Sequence, residues 1–219
     1  VTKDGDGTMV ITGAATSLIS TSAVNVVGGT LLANNTTGSA TGDAPVTVGA
    51  SGTFGGTGAI AGTVNVTGTL SPGASIESLA SGALTMNNGA VFVFEAVDNT
   101  VTGADLMVVN GDLSLTGVTL DLTSANLGAV TWTVGDILTL ISYTGTAVTS
   151  GFTGYVDDTP YAFGSNSWLI NYDDTLKGNN YNTEATGSSF VTLTMVPEPA
   201  AALLGILGLL PFLRRRRGA

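Results

Sequence analysis

The chain has 219 residues, long enough to bury one sizeable core, yet only 10% of them are charged, against about 25% in an average soluble domain. Residues 1–195 hold Lys3 and Lys177 against fifteen acids, a net charge of −13, which excludes nucleic-acid binding by charge neutralisation and leaves no basic grip for an anionic polysaccharide. There is no Cys and no His, so Cys/His zinc sites, thiol nucleophiles and Ser-His-Asp or Cys-His catalytic sets are excluded as well.

Few Lys, Glu and Arg beside 31 glycines disfavour helical bundles and predict an all-β body of short Val/Thr/Leu strands between Gly turns. The chain starts at Val1 without a basic and apolar leader; the expectation is that a signal peptide has been removed or that this is a fragment. Lys3-Asp4-Gly5-Asp6-Gly7 offers hard oxygen ligands of the calcium-loop type. An EF-hand would next need a ligand at Thr8 and a Glu at Ala15, so the stretch reads as a turn entering the first strand.

Gly-led strands follow at residues 7–13, 29–32, 52–58, 62–68 and 82–86, their leading glycines 22, 23, 10 and 20 positions apart. A period near 20, or half of it, is the length of one coil in a β-solenoid, where each coil stacks only on its neighbours. The turns carry Asn34-Asn35, Asn87-Asn88-Gly89 and Asn110-Gly111, residues that accept positive φ and that can form hydrogen-bonded ladders between stacked coils. A purely antiparallel sandwich would use the same residues, so the solenoid rests on the repeats. Asn34-Asn35-Thr36 and Asn65-Val66-Thr67 match the N-glycosylation pattern, a short motif that carries little weight by itself. In Val118-Thr119-Leu120-Asp121-Leu122-Thr123 strict alternation marks a strand with one buried face.

Composition changes near residue 125: three aromatics precede it and ten lie in 126–195. Residues 1–125 are therefore expected to be solenoid repeats and 126–195 an aromatic-rich β cap over the open end, with a separate small β domain as the alternative. Within 126–195, Asp157-Asp158 and Asp173-Asp174 are paired carboxylates. They suit glycoside hydrolysis, weak Ca²⁺ binding, or simply solvated loops. Tyr172 and Trp168 beside them read either as a sugar-stacking surface or as core. No catalytic constellation stands out, and the sequence calls for no cofactor.

The last 24 residues have their own logic. Val196-Pro197-Glu198-Pro199 precedes an apolar run that contains Ala200, Leu203, Leu204, Ile206, Leu207, Leu209, Leu210, Phe212 and Leu213, and Arg214, Arg215, Arg216 and Arg217 follow. An apolar segment stopped by arginines holds a translocating chain in a membrane. The 14 residues 200–213 span roughly 21 Å as a transmembrane helix, short of the roughly 30 Å of a bilayer core. Pro197 and Pro199 keep the preceding stretch extended and accessible.

These three parts, in this order at the extreme C-terminus, resemble the PEP-CTERM sorting signal of exported Gram-negative proteins. The resemblance implies Pro197, Glu198 and Pro199 as the processing motif, an exosortase and the inner membrane as partners, and delivery to the cell envelope, surface or extracellular matrix. Gly52-Thr53-Phe54-Gly55-Gly56-Thr57-Gly58 and Gly68-Thr69-Leu70-Ser71-Pro72-Gly73 are similar to the autotransporter-associated β-strand repeats of passenger domains, and Gly29-Thr30-Leu31-Leu32-Ala33-Asn34-Asn35 fits the same style. That likeness implies a right-handed parallel β-helix on a cell surface; since no membrane barrel follows in this sequence, an export route other than autotransport is expected. The expected function is a structural or adhesive surface protein, with exopolysaccharide or other surface glycans as possible partners. The alternative is a carbohydrate-active enzyme or glycan-binding module on the same scaffold.

Overall fold

The computed structural model describes residues 1–14, 21–73, 75–129 and 131–198. These form strands and no helix: β1 (Thr2–Lys3), β2 (Thr8–Ile11), β3 (Val24–Ala33), β4 (Val46–Gly56), β5 (Val64–Val66), β6 (Thr69–Pro72), β7 (Ser78–Ser81), β8 (Leu84–Met86), β9 (Val91–Val93), β10 (Leu106–Val109), β11 (Leu113–Asp121), β12 (Ile137–Tyr143), β13 (Ala147–Phe152), β14 (Thr159–Phe163), β15 (Asn166–Asp174) and β16 (Ser189–Val196).

Three parallel ladders organise them. In the first, β1, the front of β3, the front of β4, β5, β8, the front of β11 and β13 pair in that order. Val26, Val48, Val66, Met86 and Leu115 occupy one register position and none of them is exposed. The alternate residues Asn25, Thr47, Asn65, Thr85 and Ser114 stand in register between the buried ones and face outward. One-faced burial is thus repeated rung after rung at the roughly 4.8 Å strand spacing. The second ladder joins β2, the back of β3, the back of β4, β6, β9 and the back of β11. Leu31, Phe54, Leu70, Phe92 and Leu120 lie in register inside it, and Thr8, Thr30, Thr53, Thr69, Val91 and Thr119 outside. The third contains β7, β10 and β12, preceded by a parallel bridge from Ala59 to Ala80.

The all-β expectation is therefore met, with a ladder that is parallel rather than a sandwich. The spacing needs one correction. Gly7, Gly29, Gly52 and Gly68 each precede a second-ladder threonine, whereas Gly62 and Gly82 enter the first ladder. The interval of 10 between Gly52 and Gly62 thus measures a step between ladders. Successive rungs of the first ladder (Val24, Val46, Val64, Leu84, Leu113, Ala147) are 22, 18, 20, 29 and 34 residues apart. Only the first rungs keep the sequence period; later connections are longer.

Pairing crosses residue 125 twice, at β10 with β12 and at β11 with β13. After β12 the hydrogen bonding reverses: β16, β15 and β14 add antiparallel strands to the third ladder. The aromatics pack where the two modes meet. Phe92 of the second ladder stacks on Phe152 at 5.9 Å, Phe152 meets Tyr172 at 5.9 Å, and Trp132 meets Trp168 edge to face at 5.1 Å. Such pairs add about 0.5–1.5 kcal/mol each beyond their burial.

The turn asparagines do not take positive φ, which among the described non-glycine residues is confined to Asp158 and Tyr181. Their amides hold neighbouring rungs together: Asn87 donates to the Asn65 side chain at 2.7 Å and to the Val66 carbonyl at 3.0 Å, and the Asn35 side chain accepts from the Ala59 N–H at 3.0 Å. Satisfying buried turn groups is worth more here than backbone freedom.

Candidate functional site

The Pro197-Glu198-Pro199 triplet begins where the last core strand stops. β16 lies between β12 and β15, its residues Val191, Leu193 and Met195 are buried, and the Met195 N–H donates to the Asp136 carbonyl at 2.8 Å. Val196 still pairs with Ser167, so it belongs to the strand and not to the extended stretch. Pro197 and Glu198 follow, both exposed and outside any strand. Pro199, the apolar residues 200–213 and the arginines 214–217 lie outside the described residues. Among the described residues, no helix is long and apolar enough to cross a membrane.

The four cap acids come from two ends of one hairpin. Asp157 and Asp158 precede β14, Asp173 and Asp174 close β15, and the antiparallel pairing of Thr159 with Ile170 brings the two ends together. Three of the carboxylates are engaged in local structure. Asp157 accepts from the Tyr172 N–H at 3.1 Å, Asp158 from the Asn171 side chain at 2.9 Å, and Asp174 from the Leu176 N–H and the Thr192 hydroxyl, both at 2.9 Å. Asp173 is exposed, and its N–H donates to the Asn171 side chain at 2.9 Å. Among the described residues no group of three or more His, Cys, Asp or Glu is placed to hold a metal ion. At the other end of the chain, the carbonyls of Asp4 and Gly5 accept from the Lys3 ammonium at 3.2 and 2.6 Å, together with Gly28 at 2.9 Å. Those calcium-loop oxygens already face a cation.

The sugar-stacking reading of Trp168 and Tyr172 is corrected. Trp168 has no exposed surface and donates through Nε1 to the Leu127 carbonyl at 3.1 Å; Tyr172 is 5% exposed. Its hydroxyl accepts from the Phe152 N–H at 2.8 Å and donates to the Tyr155 carbonyl at 3.0 Å. Burial, with the nearby Asp157 charge, pushes the Tyr172 phenol up to about 12 although the Phe152 N–H favours the phenolate, so it stays a neutral structural donor at any physiological pH.

Half-exposed aromatics stand elsewhere. Tyr155, Tyr161 and Phe163 form a small cluster, Tyr155 meeting Tyr161 edge to face at 4.8 Å and lying nearly parallel to Phe163 at 6.3 Å. One groove of about 510 Å³ runs along Gly151 to Asp157 and is lined by Tyr155. A second, shallower one of about 620 Å³ is lined by Tyr155 and Phe163 on one side and by residues 119–123 of the second ladder on the other. Alternation in β14 places Thr159, Tyr161 and Phe163 on one face. That period is visible in the sequence, but their partner Tyr155 comes from a loop and has no periodic signal.

One buried acid also went unmarked in the sequence. Asp105 has no exposed surface and accepts from the Glu77 N–H at 3.1 Å and the Glu95 N–H at 2.9 Å. Burial, with the nearby Glu95 and Glu77 charges, pushes its carboxyl up to about 7. No family model, no curated protein and no solved structure matches this chain.

Proposed function

We propose that the chain is an exported structural or adhesive protein of a Gram-negative cell surface or extracellular matrix. Its body is a right-handed parallel β-helix in residues 1–125, closed by the cap of residues 126–195. Its tail, residues 196–219, is a PEP-CTERM sorting signal that holds it at the inner membrane until an exosortase acts. The observation that carries this reading is the composite tail set directly against the last core strand: Pro197 and Glu198 are exposed immediately after β16. Cleavage there leaves every residue of β16 in place.

The parallel ladders at 18 to 34 residue offsets support the β-helix, and the near-universal right-handedness of parallel crossovers supports its hand. The antiparallel strands β16, β15 and β14 support the cap, since they end parallel stacking at β12 and so protect its edge. Three of these four carboxylates, those of Asp157, Asp158 and Asp174, are tied into local hydrogen bonds, which supports a structural role over glycoside hydrolysis, a reaction that needs an acid and a base free to meet the bond. Replacement of Pro197, Glu198 and Pro199 by alanine in the host tests the assignment. The expected result is a chain retained in the membrane fraction, unprocessed; wild-type maturation of that variant contradicts it.

A further inference from the structure

We propose that the trough walled by Tyr155 and Phe163, with Tyr161 packed edge to face against Tyr155, binds a neutral polysaccharide chain. The proposal goes beyond the sorting assignment and does not depend on it. Tyr155 borders both grooves, so together they offer an elongated surface, which suits a polymer better than a single sugar. The three rings are each only partly exposed, and they are held in place. The Tyr161 hydroxyl accepts from the Val156 N–H at 2.6 Å, and the Tyr155 carbonyl accepts from the buried Tyr172 hydroxyl at 3.0 Å. Rigid rings present a stacking face at low entropic cost, and the electron-rich face of an aromatic ring attracts the polarised C–H bonds of a pyranose.

The rim supplies what sugar hydroxyls require. Asp157 and Thr153 line one groove, and Asp121 and Thr123 the other. In the second, the Thr123 hydroxyl and N–H both donate to one Asp121 oxygen, at 2.7 and 2.9 Å, which fixes that carboxylate as an oriented acceptor. A few convergent polar groups around an apolar floor are the ordinary make-up of such sites. Charge selects among glycans: the trough carries two carboxylates and no Lys or Arg, on a body of net charge −13, so uronate or sulfate polymers are repelled and uncharged ones are not.

Affinity electrophoresis of the full chain through gels containing hydroxyethyl cellulose, laminarin, galactomannan or dextran, with alginate as the anionic control, tests this. At least one neutral polymer should retard the protein and alginate should not. Tyr155→Ala should weaken that retardation about tenfold, and Asp121→Asn, which keeps the oxygen that Thr123 contacts and so leaves the fold intact, should weaken it severalfold. Passage unretarded through all four neutral gels overturns the proposal, as does retardation that both variants retain or that alginate matches. Dimerisation in free solution that Tyr155→Ala abolishes also overturns it, since the trough would then be the seat of a second copy.

Discussion

Asp105 joins three segments at once. Its two oxygens hold the N–H groups of Glu77 and Glu95, its own N–H donates to the Glu95 carbonyl at 2.9 Å, and its carbonyl accepts from the Asn180 side chain at 2.7 Å. With its carboxyl raised from 3.8 to about 7 by burial, the folded state binds a proton that the unfolded chain has released over that window. Stability from this group is therefore present at acidic pH and lost as pH rises through about 7, by on the order of 4 kcal/mol at most. Urea midpoints should accordingly be higher at pH 5 than at pH 8, and Asp105→Asn should remove most of that difference. Asp98, Asp112 and Asp121 are held below the ordinary carboxylate range by hydrogen bonds from Thr100, Thr146 and Thr123. They act in the opposite sense and only at lower pH. A second residue-scale test concerns Gly68, where an added Cβ would run into the carbonyl oxygens of Gly49 and Gly52. Because those oxygens belong to backbone in a paired strand, Gly68→Ala should cost about 1–3 kcal/mol in a denaturation experiment. Nothing in the sequence distinguishes Asp105 from the fourteen other acids of the body, because its burial depends on chain segments 10 and 28 residues away. Gly68, by contrast, sits in a repeat that the sequence displays.

Among the elements, β16 is pivotal because it both closes the cap and leads into the tail. It packs between β12 and β15 through Phe190, Val191 and Leu193, all at most 5% exposed. Truncation after Val196 should leave the unfolding midpoint unchanged, whereas truncation before Ser189 should abolish cooperative unfolding, as near- and far-ultraviolet circular dichroism on the two variants would report. The strands themselves were legible: alternation at Val64-Asn65-Val66 or Val118-Thr119-Leu120 reads as a one-faced strand because the ladder buries one face. The coil length was not, because two ladders use the same Gly-Thr and Gly-x-Val openings, so a one-dimensional period mixes them. Nor was the reversal after β12 legible, since Phe190-Val191-Thr192-Leu193 pairs as well in either direction and only its neighbours decide. Of the two readings that the sequence left open for Trp168 and Tyr172, the structure takes the core one: alternation along β15 turns Trp168, Ile170 and Tyr172 inward and leaves Asp173 exposed.

For the whole molecule, position and charge act together. Three residues, Pro197 to Pro199, separate the packed sheet from the apolar segment, so a chain held by its tail stands with an acidic body close to the headgroups. A net charge of −13 is repelled by an anionic leaflet within about one Debye length, ~8 Å at physiological ionic strength. A short anchor that spans roughly 21 Å as a helix then suits a temporary hold better than a permanent one. Under the proposed processing, release would leave all of β16 with the mature protein. The most direct test is the intact mass of the protein purified from its native host. A C-terminus near Pro197 to Pro199, with the apolar residues and the arginines gone, is the predicted result, and a mature chain that still ends at Ala219 contradicts it.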